Sequence, residues 1–321
     1  MFGLGTFAIG EDVFAGLVRD DTVVDLRRHL GQQVSTAALL ARWDESVEHL
    51  AAIAGQAPDG SERQLADLRP RPPVSPAGQI FCAGANYYQH IVEMALTILR
   101  SNPDETRSEG ELHALARASA ERAATSGQPY VFSAATSALA GANDEITLWG
   151  PGTEHDWELE VAIVIGRHAH CVEPSDALQY VAGYTICNDI STRDVMFRPG
   201  FKLSDIVMSK NRPTFFPIGP YIVPRRFVPD YRALKLTLTV NGEPMQDATV
   251  DDIIHDFEAL VSYVSHTAEL FPGDVILTGS PAGNAGANGN RWLKPGDVID
   301  AQISGLGTQH NLCVPDPRRP R

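Results

Sequence analysis

Residues 156–166 read Asp-Trp-Glu-Leu-Glu-Val-Ala-Ile-Val-Ile-Gly. The run from Glu160 to Ile165 is apolar and rich in β-branched side chains, so it reads as a strand. Side chains two apart on a strand share a face, which sets Glu158 beside Glu160. Two carboxylates on one face of an apolar strand repel each other and are costly to bury. A bound cation removes both penalties. An all-oxygen donor set favours a hard ion, Mg2+ or Mn2+ ahead of Ca2+. The competing reading is a strand whose outer face is wet.

Working outward, Val181–Ile186 is a second buried-strand pattern, followed by Asn188-Asp-Ile-Ser-Thr-Arg-Asp194. A carboxylate just past a strand end is a common ligand position, or else an N-cap or Asx-turn. Further β-rich runs fall at Ile80–Ala83, Tyr221–Val223, Leu234–Val240, Asp274–Leu277 and Val298–Ile303. Asn241-Gly242, Pro272-Gly-Asp274 and Pro295-Gly-Asp297 supply turns between them. Helices are expected near 92–124, broken at Asn102-Pro-Asp-Glu-Thr, and near 251–270. Within the first, Glu109 to Ala124 reads as amphipathic with Leu112 and Leu115 inward. Strands and helices do not alternate regularly, which argues against a doubly wound sheet. The fold class expected is α+β and β-rich: a sandwich, roll or barrel with a few helices.

The chain has 321 residues, enough for about two domains. Residues 1–70 read as a small α+β unit, with a hairpin turning at Asp20-Asp21 and helical spacing from Val34 to Ala54. Pro70, Pro72, Pro73 and Pro76 crowd the stretch that follows, so 71–78 reads as a linker. The main domain is 79–315, with 94–128 as a helical insertion. Residues 316–321 form a short basic tail ending in Arg318, Arg319 and Arg321.

Net charge is −14, which disfavours nucleic-acid partners. The four cysteines include no C-x-x-C pair and all read as buried thiols in a reducing cytoplasm. No apolar run approaches the roughly 18–20 residues of a membrane helix. Met1 to Gly10 lacks a basic n-region and a cleavage site, so a soluble, cytoplasmic protein is expected.

Two motifs are decoys. Gly3-Leu-Gly5-Thr-Phe-Ala8 matches a relaxed dinucleotide fingerprint, but no strand precedes it and no βαβ unit follows. Gly279-Ser-Pro-Ala-Gly283 is not a nucleophile elbow, because Pro281 removes the backbone N–H after the serine.

His90 and Glu93 lie three apart and meet on one face of a helix, where a carboxylate could orient a water-activating imidazole. Such pairs more often decorate helix surfaces. Lys210 in isolation reads as a solvated lysine.

Together these segments resemble the fumarylacetoacetate hydrolase family. The likeness spans about 78–313 and keeps the family's order: Gly84 to Glu93, Asp156 to Gly166, Gly183 to Asp194, Lys210 to Pro220, Val240 to Glu243, and Pro272 to Gly283. The resemblance implies a β-rich roll or sandwich, a homodimer, and Mg2+ or Mn2+ held by Glu158, Glu160 and Asp189. It implies a water-activating dyad of His90 and Glu93 on a segment that orders over bound substrate, with Lys210 beside the metal. Tyr87, Arg193, Thr214 and Thr278 are the implied substrate contacts, Thr278 and Thr214 through the substrate carboxylate.

The activity implied is metal-dependent hydrolysis of a C–C bond in an acylpyruvate-like or 1,3-diketone substrate. A hydratase, isomerase or decarboxylase of a 2-oxo acid in aromatic catabolism is the alternative, and a non-catalytic metal-binding member a third. Two departures point to a less polar or differently shaped substrate. Met196 stands where relatives often have glutamine, and Ser133-Ala134 where many have a lysine. The insertion at 94–128 is longer than usual and could be a lid or a dimer contact.

Overall fold

The computed structural model describes residues 1–125, 127–197, 200 and 203–318. Arg319 and Arg321 of the basic tail lie outside the described residues.

A large twisted sheet carries the molecule. Its order is Arg63–Gln64, Thr22–Asp25, Asp12–Arg19, Gly3–Ile9, Phe216–Pro224, Val181–Asn188, Leu159–Ile165, Val275–Leu277, Ile80–Gly84 and Tyr130–Ala134. A second sheet packs on it, ordered Glu243–Thr249, Lys235–Val240, Val298–Ile303, Gly307–Pro315 and Ile146–Leu148. The architecture is the expected β-rich α+β fold.

The deciding strand, Leu159–Ile165, is buried along its whole length. It sits at the centre of the large sheet between Val181–Asn188 and Val275–Leu277, both antiparallel to it. A strand covered on both faces needs the unbroken apolar run that the sequence shows.

The N-terminal hairpin forms with its turn at Asp20, whose φ is 52°. The strand before it, Gly3–Ile9, pairs with Asp12–Arg19 on one side and with the main sheet on the other, Leu4 opposite Ile222. One apolar cluster joins Leu4, Leu17, Trp43 and Leu50 to Val164, Ala182 and Ile222. The decoy Gly3–Ile9 is therefore a strand and not a phosphate-binding turn. In the Pro-rich stretch, Arg69–Arg71 pairs along this same strand, with Pro70 opposite Phe7.

The insertion forms two helices, Tyr88–Arg100 and Glu109–Thr125, separated at the expected Asn-Pro break. Leu112 is buried, but Leu115 is 40% exposed, which corrects its inward placement. The buried stripe is Leu112, Ala116 and Ala120, packed with Ile91, Val92 and Leu96 of the first helix. Spacing of four keeps these on one line, and alanines let the two helices approach. Cys82, Cys187 and Cys313 are buried as expected; Cys171 is exposed, on a turn with φ 51°. Among the described residues, no helix is long and apolar enough to cross a membrane.

Candidate active site

The register of the central strands builds the site. Leu159 pairs with Asn188, so Glu158 and Asp189 flank one end of the same antiparallel ladder. Glu160, opposite Cys187, lies one pleat further in. Leu277 pairs with both Ala162 and Cys82, which brings Thr278, Gly279 and Gly84 to that same end. Ala85, with φ 52°, then turns the chain into helix Tyr88–Arg100 and delivers His90 over the strand ends.

Glu158, Glu160 and Asp189 are all buried, and one oxygen from each lies within 4.8 Å of the others. This excludes the wet-face reading of the Glu158/Glu160 pair. Backbone donors fix the cluster. Glu160 Oε2 accepts from Gly279 N at 2.7 Å, and Asp189 N donates to the Glu158 carbonyl at 2.9 Å. The Glu158 amide donates in turn to Asn188 Oδ1 at 2.8 Å.

Two cations answer the acids. Lys210 Nζ donates to Asp189 Oδ2 at 2.6 Å and also to Glu158 Oε2. Arg193 donates to Glu158 Oε1 at 2.6 Å and to Asp156 Oδ2 at 2.8 Å. Lys210 is thus a buried, paired lysine, against the solvated reading.

The electrostatics follow from burial and these contacts. Burial pushes the Glu158 carboxyl up, but Arg193 and Lys210 outweigh it and hold it well below the usual carboxylate range. Glu160 has no such partner, so burial, with Asp189 and Glu158 beside it, pushes it well above that range. Asp189 is raised to about 6, chiefly by burial and only partly offset by Lys210. Burial lowers His90 to about 4, so its imidazole is neutral at neutral pH.

A divalent metal fits this cradle. Three carboxylates converge, Asp189 Oδ1 is buried with no hydrogen-bond partner among the described residues, and Glu160 is penalised for its charge. A hard dication would take up the orphaned oxygen and reverse the penalty on Glu160.

A cleft of about 200 Å³ opens over the cluster, and His90, Glu158, Glu160, Asp189, Arg193 and Lys210 line it. The His90 ring stands with Nε2 3.9 Å from Glu158 Oε1. The structure thus gathers six of the ten residues singled out in the sequence.

The other four lie off the cleft. Glu93 shares the helix with His90 but accepts from Gly283 N at 2.8 Å, while His90 Nδ1 has no partner among the described residues. The expected contact between the two is therefore not formed. Tyr87 is buried at the helix start. Thr278 donates its hydroxyl to the Val161 carbonyl at 3.0 Å, and Thr214 Oγ1 accepts from Thr147 N at 2.8 Å. Both threonine hydroxyls are thus committed to backbone.

Several residues with a part in the site carried no role in the sequence reading. Asp156 anchors Arg193, Asn188 positions Glu158, and the amides of Gly279 and Gly283 hold Glu160 and Glu93. A Cβ on Gly279 would stand 2.8 Å from Asn86 Cβ, and its φ is +92°. The two glycines bracketing the rejected elbow motif were the available signal: their contribution is backbone N–H groups, not the serine between them.

Residues 79–314 match the family model described as fumarylacetoacetate (FAA) hydrolase C-terminal. The chain belongs to the fumarylacetoacetate hydrolase family. A 2,4-didehydro-3-deoxy-L-rhamnonate hydrolase of Sphingomonas sp. is 35% identical over 82% of this chain and 83% of its own. The mitochondrial oxaloacetate tautomerase FAHD2A of Bos taurus is 32% identical over 75% of this chain and 68% of its own. A solved maleylpyruvate hydrolase of Sphingobium sp., in complex with manganese(II) and pyruvate, superposes with TM-score 0.73 at 25% identity. That superposition covers 98% of this chain and 99% of the other. The family's members thus include hydrolases and tautomerases, and this fumarylacetoacetate hydrolase family chain carries an acidic triad suited to a divalent metal.

Proposed function

We propose that the protein is a Mg2+- or Mn2+-dependent hydrolase that cleaves a C–C bond in an acylpyruvate-like or 1,3-diketone substrate. The observation that carries the reading is a neutral, buried imidazole, His90, facing a triad of carboxylates across a cleft that also holds the Lys210 ammonium. Glu158, Glu160 and Asp189 would hold the ion, which when bound supplies Lewis acidity toward adjacent substrate oxygens. His90 Nε2 takes a proton from water, and the hydroxide adds to the distal carbonyl carbon. The C–C bond to the methylene carbon then breaks. Its electron pair remains on the pyruvyl half as an enolate, which Lys210 stabilises as charge develops and which finally takes up a proton. The products are pyruvate and a carboxylic acid.

A tautomerase, hydratase, isomerase or decarboxylase on the same site is the second reading. What favours it is Glu93, which is bonded to Gly283 and leaves His90 without the orienting carboxylate that water activation would use.

Loss of enol absorbance across a panel of acylpyruvates and 2-oxo acids, with Mg2+, with Mn2+ and with EDTA, separates the two. Metal-dependent formation of pyruvate and a carboxylic acid, absent in Glu158→Ala and His90→Ala, is the expected result. Release of CO2, hydration, or keto–enol exchange without cleavage would assign the second reading. Tight Mn2+ binding without turnover of any 2-oxo acid would favour a non-catalytic member.

The same reading includes a homodimer in a cytoplasmic setting. Light scattering after size exclusion should give twice 34.8 kDa, and a monomer would remove the dimer.

A further inference from the structure

The backbone ladder on one edge of strand Leu159–Ile165 stops short of the acidic cradle. On that edge Ile165 N donates to the Asp274 carbonyl, and the Val161 carbonyl accepts from Thr278 N at 3.1 Å. The chain then turns away at Gly279, whose φ is +92°. Residues of one parity on a strand face the same neighbour, so Leu159 N is the next amide on this edge. It lies between Glu158 and Glu160, past the reach of Val275–Leu277, which pairs only from Ala162 onward. A buried N–H left without an acceptor is costly.

Gln246 supplies the acceptor. It belongs to Glu243–Thr249 of the second sheet and is buried. Its Oε1 accepts from Leu159 N at 3.1 Å. Its Nε2 donates to Ser280 Oγ and to the Pro281 carbonyl, both at 2.9 Å. The partners fix which end is which, because Leu159 N can only donate and the Pro281 carbonyl can only accept. One side-chain amide thus spans the gap between the strand bearing two of the acids and the loop after Gly279. From that loop Gly279 N donates to Glu160 and Gly283 N to Glu93. The loop also lies close on the strand that carries Gln246: a Cβ on Gly283 would stand 3.2 Å from Gln246 Cα.

We infer that Gln246 is a positioning residue for the cradle. It sets the spacing between the strand carrying Glu158 and Glu160 and the loop whose Gly279 amide holds Glu160. Gln246 does not line the cleft, so it acts through the groups it bonds. The inference rests on the reading of Glu158, Glu160 and Asp189 as metal ligands.

Two substitutions test it. Gln246→Met keeps the length of the side chain and removes both ends of the bridge. Gln246→Asn keeps the amide but is one methylene too short to reach both sides. Calorimetric titration of Mn2+ into the full chain should show affinity at least about tenfold weaker in Gln246→Met. Asn311→Leu is the control. Asn311 is a buried amide of the same second sheet that donates to the Ala142 and Asp144 carbonyls, and none of these residues lines the cleft. This variant should lose melting temperature as Gln246→Met does, yet keep Mn2+ affinity within about threefold of wild type. Wild-type Mn2+ affinity in Gln246→Met overturns the inference. An equal loss of affinity in Asn311→Leu also overturns it, since any broken buried amide would then suffice. If Gln246→Met does not fold, Gln246→Asn decides by the same comparison. A wild-type chain that binds no Mn2+ removes the metal reading itself, and the inference with it.

Discussion

A histidine packed against carboxylates would ordinarily be driven toward its charged form; His90 is held neutral because burial outweighs Glu158. It can therefore accept a proton without first losing one. His90→Ala should lower kcat by about 10²- to 10⁴-fold while leaving Mn2+ affinity within a few-fold; a large loss of Mn2+ binding in calorimetry would make His90 a ligand instead. Glu160→Gln keeps an acceptor for the Gly279 amide and removes only the charge. Its Mn2+ affinity should fall by at least about tenfold, with little change in melting temperature. Asp297 shows a residue acting through stability. Burial pushes its carboxyl up, but bonds from Arg291, Asn241 and the Lys294 amide hold it below the usual range. The folded state thus gains from its ionisation above the unfolded value, and that gain is lost as pH falls below about 4. Asp297→Asn should cost about 2 kcal/mol at neutral pH and flatten the acid limb of the stability curve. An unchanged acid limb in denaturant titrations from pH 7 to 3 would rule this out. At this scale the acidic residues were legible as types. Their ion pairs with Lys210 and Arg193 were not, because those partners come from other segments of the chain.

Helix Glu109–Thr125 shows how a one-residue choice sets an element's inner face. Leu112, Ala116 and Ala120 face the neighbouring helix and Leu115 faces out. Ala116→Leu should destabilise the protein by about 1–3 kcal/mol through overpacking, whereas Leu115→Ala should lie within about 0.5 kcal/mol of wild type. The reverse ranking in thermal melts would return Leu115 to the core. The loop after Val275–Leu277 is the second case. Gly283 has φ +100°, and a Cβ there would stand 2.1 Å from the Met245 carbonyl. Gly283→Ala should therefore displace the amide that Glu93 accepts from, at a cost of about 1–3 kcal/mol. Turnover should fall with it if Glu93 serves the chemistry, and melting and kcat measured together separate the two effects. Sequence spacing read the existence of both helices and their break correctly. It could not tell which of Leu115 and Ala116 points inward, since a short helix with scattered apolar residues allows two stripes and only the partner surface chooses.

Across the whole molecule, the N-terminal strands are hydrogen-bonded to the main sheet and share a core with it. A chain beginning at residue 72 should lose solubility or its cooperative melt, because Val164, Ala182 and Ile222 would lose their cover. A soluble fragment with an unchanged transition would show two independent units. The sequence by itself determined the β-rich class, because an apolar strand, turn dipeptides and helix breaks are local signals. The spacing of Glu158 and Glu160 on a strand and the place of Asp189 past a strand end are local too, but they left a wet face and a cap open; the family resemblance implied the three as one ligand set, and the fold brings their oxygens together. Tertiary structure alone decided that Glu93 turns to Gly283, that the Thr214 and Thr278 hydroxyls bond backbone groups, and that Lys210 and Arg193 pair with the acids. Those outcomes depend on which distant amides, carbonyls and side chains the sheet register brings within 3 Å or so, and hydrogen bonds of that reach carry no trace in the order of residues along the chain.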